Sequence, residues 1–313
     1  MNICSLLPGA TEIVATLGLA DHLVGISHEC DFPAAIRHVP VMVESTVGNG
    51  SAGSAAIDRQ VKNLVSSGQR LYRLNEQAFL SAHPTVILTQ DLCHVCAVTP
   101  DQLHRVLQSL PAAPQILTLN PTSLGDVVND VERIGAVLGE EAKGHAFAQW
   151  LHQRIAAVRK NSLTTKQRPK VLCLEWLDPF YIGGHWIPEM ITLAGGQDVL
   201  GQAQQPSREI SWDDVHAATP DIVVLMPCGF SVERTIAELR ALCAKHMEWS
   251  QAMTQWPNTY VVDAGSYFSR PGPRLVDGLE LLADIVSGTV SSQYGAHVVQ
   301  DITGTSHAMN SSR

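Results

Sequence analysis

The sequence predicts an α/β protein of two alike lobes, each with a parallel sheet, bridged by one long helix. Three observations lead there. First, residues 140–161 (EEAKGHAFAQWLHQRIAAVRKN) space Phe147, Leu151, Ile155 and Val158 by four, four and three positions, with Ala146 and Trp150 alongside. That is one apolar stripe, and Gln149, His152, Gln153 and Arg154 suit the wet face of a helix about 30 Å long. Second, the segments on either side read alike. Each opens with a short apolar run (residues 3–7 and 171–174), then a Gly-bearing turn, a Glu-bearing helix, and a Gly stop followed by Asp, two apolar residues and Gly. Each later has a proline before a buried-looking strand, in SAHPTVILTQ and HAATPDIVVLMP. Third, 313 residues with 45% apolar and 16% charged side chains suffice for two cores.

In chain order, the first lobe (residues 1–138) starts with a strand and a Pro-Gly turn. The helix pattern ATEIVATLGLADHLVG follows, with Thr11 placed to cap and Glu12 in the first turn. Residues 24–27 read as a strand ending in His28-Glu29-Cys30-Asp31-Phe32-Pro33. The small residues of STVGNGSAGS form a loop, and residues 55–67 an amphipathic helix that is either a lid or a surface decoration. A strand at 86–89 runs into Gln90-Asp91-Leu92-Cys93-His94-Val95-Cys96; a further strand at 115–119 and an amphipathic helix at 124–138 precede Gly139. The bridging helix occupies 139–161 and the second lobe 162–286. Its first strand delivers Glu175, and Gly183-Gly184-His185-Trp186 enters a helix through Pro188, a suitable first-turn residue. A short helix at 212–218, strands at 222–226 and 259–262, and a closing helix at 275–286 complete the lobe. Residues 287–313, rich in Ser, Gly and Thr without periodicity, are expected to be disordered.

Strand ends in parallel α/β sheets carry ligand-binding loops, so the candidate residues lie there. In the first lobe they are His28, Glu29, Cys30, Gln90, Asp91 and Cys93. Cys30, Cys93 and Cys96 with His28, or with His94, have the chemistry of a tetrahedral zinc set or of an open soft-metal site. Redox thiols and plain packing are the alternatives. In the second lobe Glu175, Trp176, Phe180, Tyr181, His185 and Trp186 fall close together in a chain that is only 5% aromatic. They form either one wall of a pocket for a large flat molecule or a core cluster. The paired glycines let the backbone approach a ligand closely. Cys228 holds the place that Asp91 to Cys93 hold in the first lobe, and Tyr267 and Arg270 complete the set, Arg offering a fork of donors for carboxylate or phosphate.

Net charge of −9 and the lack of a Lys/Arg-rich run argue against nucleic acid and anionic membranes as partners. Met1 and Asn2 lead directly into the first strand, with no export signal and no apolar run of membrane-spanning length. A cytoplasmic protein is therefore expected, periplasmic only from a different start. Its seven cysteines then read as core residues, metal ligands or reactive thiols rather than disulfides.

LLPGATEIVATLGLADHLVGIS, AHPTVILTQ, PFYIGGHWIPEMITLAGG and SWDDVHAATPDIVVL, in that order, resemble the helical-backbone class of ABC-transporter substrate-binding proteins, the receptors for cobalamin, ferric siderophores and haem. The resemblance covers nearly the whole chain to about residue 286. It implies two Rossmann-like lobes with parallel sheets, one long rigid α-helix between them, and a ligand cleft between the lobes. In the cobalamin-binding members the segments matching residues 28–33, 90–93 and 179–186 line that cleft. The HEC and DLCHVC pair is not part of the family pattern. Where the family docks on its permease through a glutamate of each lobe, Asp101 and Asp213 or Asp214 fall near the matching positions. The resemblance is thus to a cytosolic cobalamin-binding-like branch, with an ABC permease a doubtful partner.

A binding protein enclosing a cobalamin-like corrinoid or metal chelate is the leading expectation, with His28, Cys30, His185 or a cysteine as a possible axial ligand to the metal. The alternatives are a zinc or iron protein built on Cys30, Cys93 and Cys96, and a thiol-dependent enzyme on the same fold. No hydrolase elbow, Walker loop or GxGxxG supports catalysis, so no catalytic residue is expected.

Overall fold

The computed structural model describes residues 1–47, 52–90, 100–162, 168–256, 258–289 and 297–298. The chain divides into two compact units, one of residues 1–153 with 270–273, the other of residues 154–269 with 274–313.

In the first unit the strands are β1 (Ile3–Ser5), β2 (Leu23–Ser27), β3 (Val41–Ser45), β4 (Tyr72–Leu74), β5 (Val86–Thr89) and β6 (Gln115–Thr118). Their order is β4-β3-β2-β1-β5-β6, parallel except for the β3–β4 pair. The chain leaves β1 towards β2 and β3 and returns on its other side at β5. Such a reversal opens a crevice at the carboxyl ends of the strands. Burial explains the apolar runs: Ile3, Cys4, Ile87 and Leu88 are fully enclosed, and Cys4 packs with Leu6, Met42 and Phe79. The first helix, Pro8–Thr16, begins at its proline rather than at Thr11. Thr11 instead turns its hydroxyl inward, 2.9 Å from the Leu7 carbonyl and 2.8 Å from Ser5 Oγ. The helix Ser54–Ser66 and the helix Leu124–Val137 lie where the amphipathic patterns put them. The latter starts on a capping box in which Ser123 Oγ accepts the Asp126 N–H at 3.1 Å and Asp126 accepts that of Ser123 at 3.0 Å.

The second unit has β7 (Lys170–Leu177), β8 (Phe180–Ile182), β9 (Gln197–Asp198), β10 (Arg208–Ile210), β11 (Ile222–Leu225), β12 (Thr259–Val261) and β13 (His297–Val298). The order is β10-β8-β7-β11-β12-β13, with β9 also paired to β7. Here the sheet is mixed. β9, β7, β11 and β12 are parallel neighbours, whereas β8, β10 and β13 join antiparallel. β13 lies within the stretch expected to be a disordered tail and departs from that expectation; the rest of that tail beyond residue 289 lies outside the described residues. The core gathers Leu172, Leu174, Val223 and Leu225 from the sheet with Trp249 and Trp256 from the helix side. The helix Trp212–Ala218 begins on a second capping box, Ser211 with Asp214.

The long helix spans Glu141–Ser162, giving its first part to one unit and its last part to the other. Its stripe differs from the simple pattern. Ala148, Leu151 and Val158 are buried, while Trp150 is 49% exposed and stacks beside Phe147. Arg154, expected on the wet face, is instead partly buried. Its guanidinium forks onto Asp277 at 2.6 Å and onto both oxygens of Glu280 at 2.8 and 2.6 Å. No described helix is long and apolar enough to cross a membrane.

Candidate functional site

Two groups of strand-end residues stand out, one in each unit. In the first, β2 ends at Ser27 and the chain turns through His28, Glu29 and Cys30 to the cis Phe32–Pro33 bond. His28 Nδ1 meets the Val43 carbonyl at 2.9 Å, and its Nε2 lies 3.3 Å from Glu29 Oε1. The Tyr72 ring tilts against the imidazole at 5.8 Å. Arg270 then ties the loop: Nη2 donates to Glu29 at 3.1 Å and Nη1 to Asp31 at 2.6 Å. The guanidinium can reach because residues 270–273 pack into the first unit, where Gly9 and Gly272 touch backbone to backbone. A Cβ on Gly9 would fall onto the Pro271 carbonyl, so this approach needs glycine.

The charges are mutually supporting. The Glu29 hydrogen bond raises the pKa of His28 against the effect of burial. The His28 hydrogen bond, helped by Arg270, lowers that of Glu29. Burial works against the charge on Arg270, but the hydrogen bond to Asp31 and the nearby Glu29 outweigh it and raise its pKa. Cys30 points inward, 6% exposed, with Sγ 3.1 Å from Thr11 Oγ1. Burial pushes its thiol up to about 11, so with no cation bound beside it the group stays protonated near neutral pH. Gln90 closes β5 and is partly buried. Asp91, Cys93, His94 and Cys96 lie outside the described residues. Among the described residues no three His, Cys, Asp or Glu side chains are grouped to hold a metal ion.

In the second unit, β11 ends opposite Leu174, while β7 runs on to Leu177. Met226 donates its N–H to Leu174 O at 2.9 Å, and Cys228 donates to Glu175 O at 3.0 Å. β8 doubles back and releases Gly183 to Trp186 at the same level, with Gly183 N–H on Cys173 O at 3.0 Å. Glu175 Oε2 accepts the Gly184 N–H at 3.1 Å. Burial raises the Glu175 carboxyl to about 7, the Gly184 hydrogen bond pulling the other way. His185 is half-buried at a left-handed φ of 52°, and burial lowers its pKa, leaving a neutral imidazole at pH 7. Cys228 is exposed.

The aromatic residues separate into two roles. Phe180 is core and not a pocket wall: it is 4% exposed, edge-on to Trp212 at 4.6 Å and near Trp249 at 5.0 Å. Trp186 is likewise enclosed, its indole N–H donating to Phe268 O at 2.8 Å. Tyr181 lies on β8 and extends its hydroxyl towards Glu209 at 3.3 Å. Trp176 is half-buried, edge-on to Phe230 at 5.2 Å, and Arg234 covers the other ring at 3.5 Å from its centroid. Tyr267 is partly buried at the end of the short helix Ala264–Tyr267. Sequence reasoning omitted Tyr72, Phe230 and Arg234. Only the position of Phe230 and Arg234 just beyond β11 pointed to them.

The α/β fold, with candidate residues at its strand ends, is that of a family of binding proteins. Residues 3–247 match the model of the periplasmic binding protein family, and the chain belongs to that family. A vitamin B12-binding protein of Photorhabdus laumondii is 22% identical over 227 residues, 72% of this chain and 70% of that protein. Among solved structures, the periplasmic heme-binding protein RhuT from Roseiflexus sp. RS-1 in apo form aligns with a TM-score of 0.67 and 22% identity, over 93% of this chain and 99% of its own. The periplasmic vitamin B12 binding protein BtuF of Vibrio cholerae aligns with a TM-score of 0.64 and 20% identity, over 92% and 97%. These findings overturn the expected cytoplasmic location: the family and its structural neighbours are periplasmic binding proteins.

Proposed function

We propose that this chain is the periplasmic receptor of an ABC importer and binds a corrinoid or haem, a flat metal chelate, through the strand-end loops of its second unit. The observation that carries this reading is the match, over about three quarters of the chain, to vitamin B12-binding proteins. The second unit's loop supports it. Half-buried Trp176 offers an aromatic surface and His185 a neutral imidazole, as an extended ring system with a metal centre requires. A permease partner belongs to the same reading, delivery being the task of a binding protein of this family. Zinc or iron held as a bare ion is no part of it.

The test is a visible-absorption titration of purified protein with hydroxocobalamin and, separately, with hemin. A saturable band shift near one equivalent with either supports the reading. Unchanged bands with both, at micromolar protein and ligand, reject it.

A further inference from the structure

The segment from Gly183 to Trp186 is fixed at every residue, yet the side chain at its centre is left unengaged. Gly183 donates to Cys173 O, and Gly184 donates to the Glu175 carboxylate. There is no room for a Cβ on Gly184, because the Pro206–Ser207 backbone occupies that place. His185 donates its N–H to Gln205 O at 2.6 Å and accepts the Gln204 N–H at 2.8 Å. Trp186 is anchored through its indole. The Gly184 carbonyl accepts the Ile187 N–H at 2.9 Å, starting the helix Ile187–Leu193.

His185 itself takes a left-handed backbone, φ 52°, which costs a residue with a Cβ and persists only where surroundings impose it. The loop therefore holds an imidazole at a set place on a strained backbone. Neither ring nitrogen has a hydrogen-bond partner among the described residues, and the ring only tilts against Trp186 at 5.5 Å. His28 is the opposite case. Its Nδ1 is on Val43 O and its Nε2 on Glu29.

Resting on the binding function above, we infer that His185 is the group that coordinates the metal of the bound chelate, with Glu175 acting as a positioning residue through Gly184. The chemistry is ligand exchange without redox change. A nitrogen lone pair of neutral imidazole enters an open or water-occupied axial position, and the water leaves. Burial of the ring keeps that lone pair available near neutral pH. It also implies that the chelate must present an exchangeable axial site, a property of ferric haem and of aquo-corrinoids.

The experiment compares wild type with His185→Gly, His185→Asn and His28→Gln, each loaded with hemin and with hydroxocobalamin. Glycine and asparagine both tolerate the left-handed backbone, so either variant should keep the thermal transition of the wild type. Wild type should give an imidazole-ligated spectrum. His185→Gly and His185→Asn should lose it and bind roughly tenfold or more weakly. Millimolar imidazole should restore the spectrum in His185→Gly, while His28→Gln should retain it throughout. A His185→Gly protein with the wild-type spectrum, or loss of that spectrum in His28→Gln, overturns the inference and leaves the binding function standing. A wild type that binds neither chelate overturns both.

Discussion

The loop after β2 carries a histidine beside a glutamate, and in the second unit the segment after β8 brings His185 near Glu175 of β7 through Gly184, but the polar groups are treated in opposite ways. In the first unit His28, Glu29, Asp31 and Arg270 satisfy one another, and each charged form is held by a neighbour of opposite sign. In the second, Glu175 has one backbone N–H and His185 has no side-chain partner among the described residues, so burial dominates and favours the neutral form of each. The same residue types thus form a self-paired set in one unit and, in the other, two groups with no ionic partner among the described residues. Networks that are complete stabilise and orient; groups kept neutral in a low-dielectric setting remain ready for an incoming partner.

The largest expected effects come from the glycines that permit each arrangement. Gly9→Ala and Gly184→Ala each place a methyl group on backbone atoms, and each should lower stability by about 3 kcal/mol in urea titrations. If Gly184→Ala were neutral while Gly9→Ala was costly, the rigid fixation of the second loop would be wrong.

Next is Arg270→Met. It leaves Glu29 and Asp31 without their shared cation, and because the guanidinium is only 14% exposed while both carboxylates are about half exposed, a loss of about 1 to 2 kcal/mol is expected. Raising salt should narrow the difference between wild type and variant. Salt-independent loss would assign the effect to packing of residues 270–273 instead.

A third test separates the units by pH. The Glu175 carboxyl titrates near 7 when folded against 4.5 as the unfolded reference, so from pH 4.5 to 7 the folded protein holds a proton the unfolded chain has released. Stability from this group is full below 4.5 and is lost as pH rises through about 7. Glu175→Gln, which can still accept the Gly184 N–H, should flatten that part of the profile and melt higher than wild type at pH 8. A Gln variant with the wild-type slope would contradict it. Glu29 has the reverse sign: its pKa is lowered by the His28 hydrogen bond, so its contribution is present above 4.5 and fades as pH falls below it. Smallest of all, Arg73→Gln removes the exposed pair with Glu44, and its cost should stay within about 0.5 kcal/mol.

Much of the frame was legible because the buried parallel strands are continuous apolar runs, and VIL in β5 and IVVL in β11 admit little else. The long helix and both halves of the repeat were also readable. The short strands β4, β8, β9 and β10 were not, since two or three residues carry no period. Arg154 and Thr11 escaped for a different reason. Their roles depend on partners remote in sequence or on which end of a turn starts the helix, and neither is a local pattern. Among the candidate residues, His28, Glu29 and Arg270 were singled out by position, but the ion pairs of Arg270 bridge about 240 residues and could not be read. Phe180 shows the limit of composition. An aromatic cluster was visible, while its division into core and surface needed the hairpin of β7 and β8.

The comparison is tested most directly by proton NMR titration of the histidine rings in wild type, with His28→Gln and His185→Gly as assignments, before and after one equivalent of diamagnetic hydroxocobalamin. The expected result is that His28 titrates above 6.5 and His185 below it in the free protein, and that ligand removes the titration of His185 alone. The reverse order in the free protein, or a ligand that silences His28 and leaves His185 titrating, would contradict the assignment of a paired set to one unit and an open ligand group to the other.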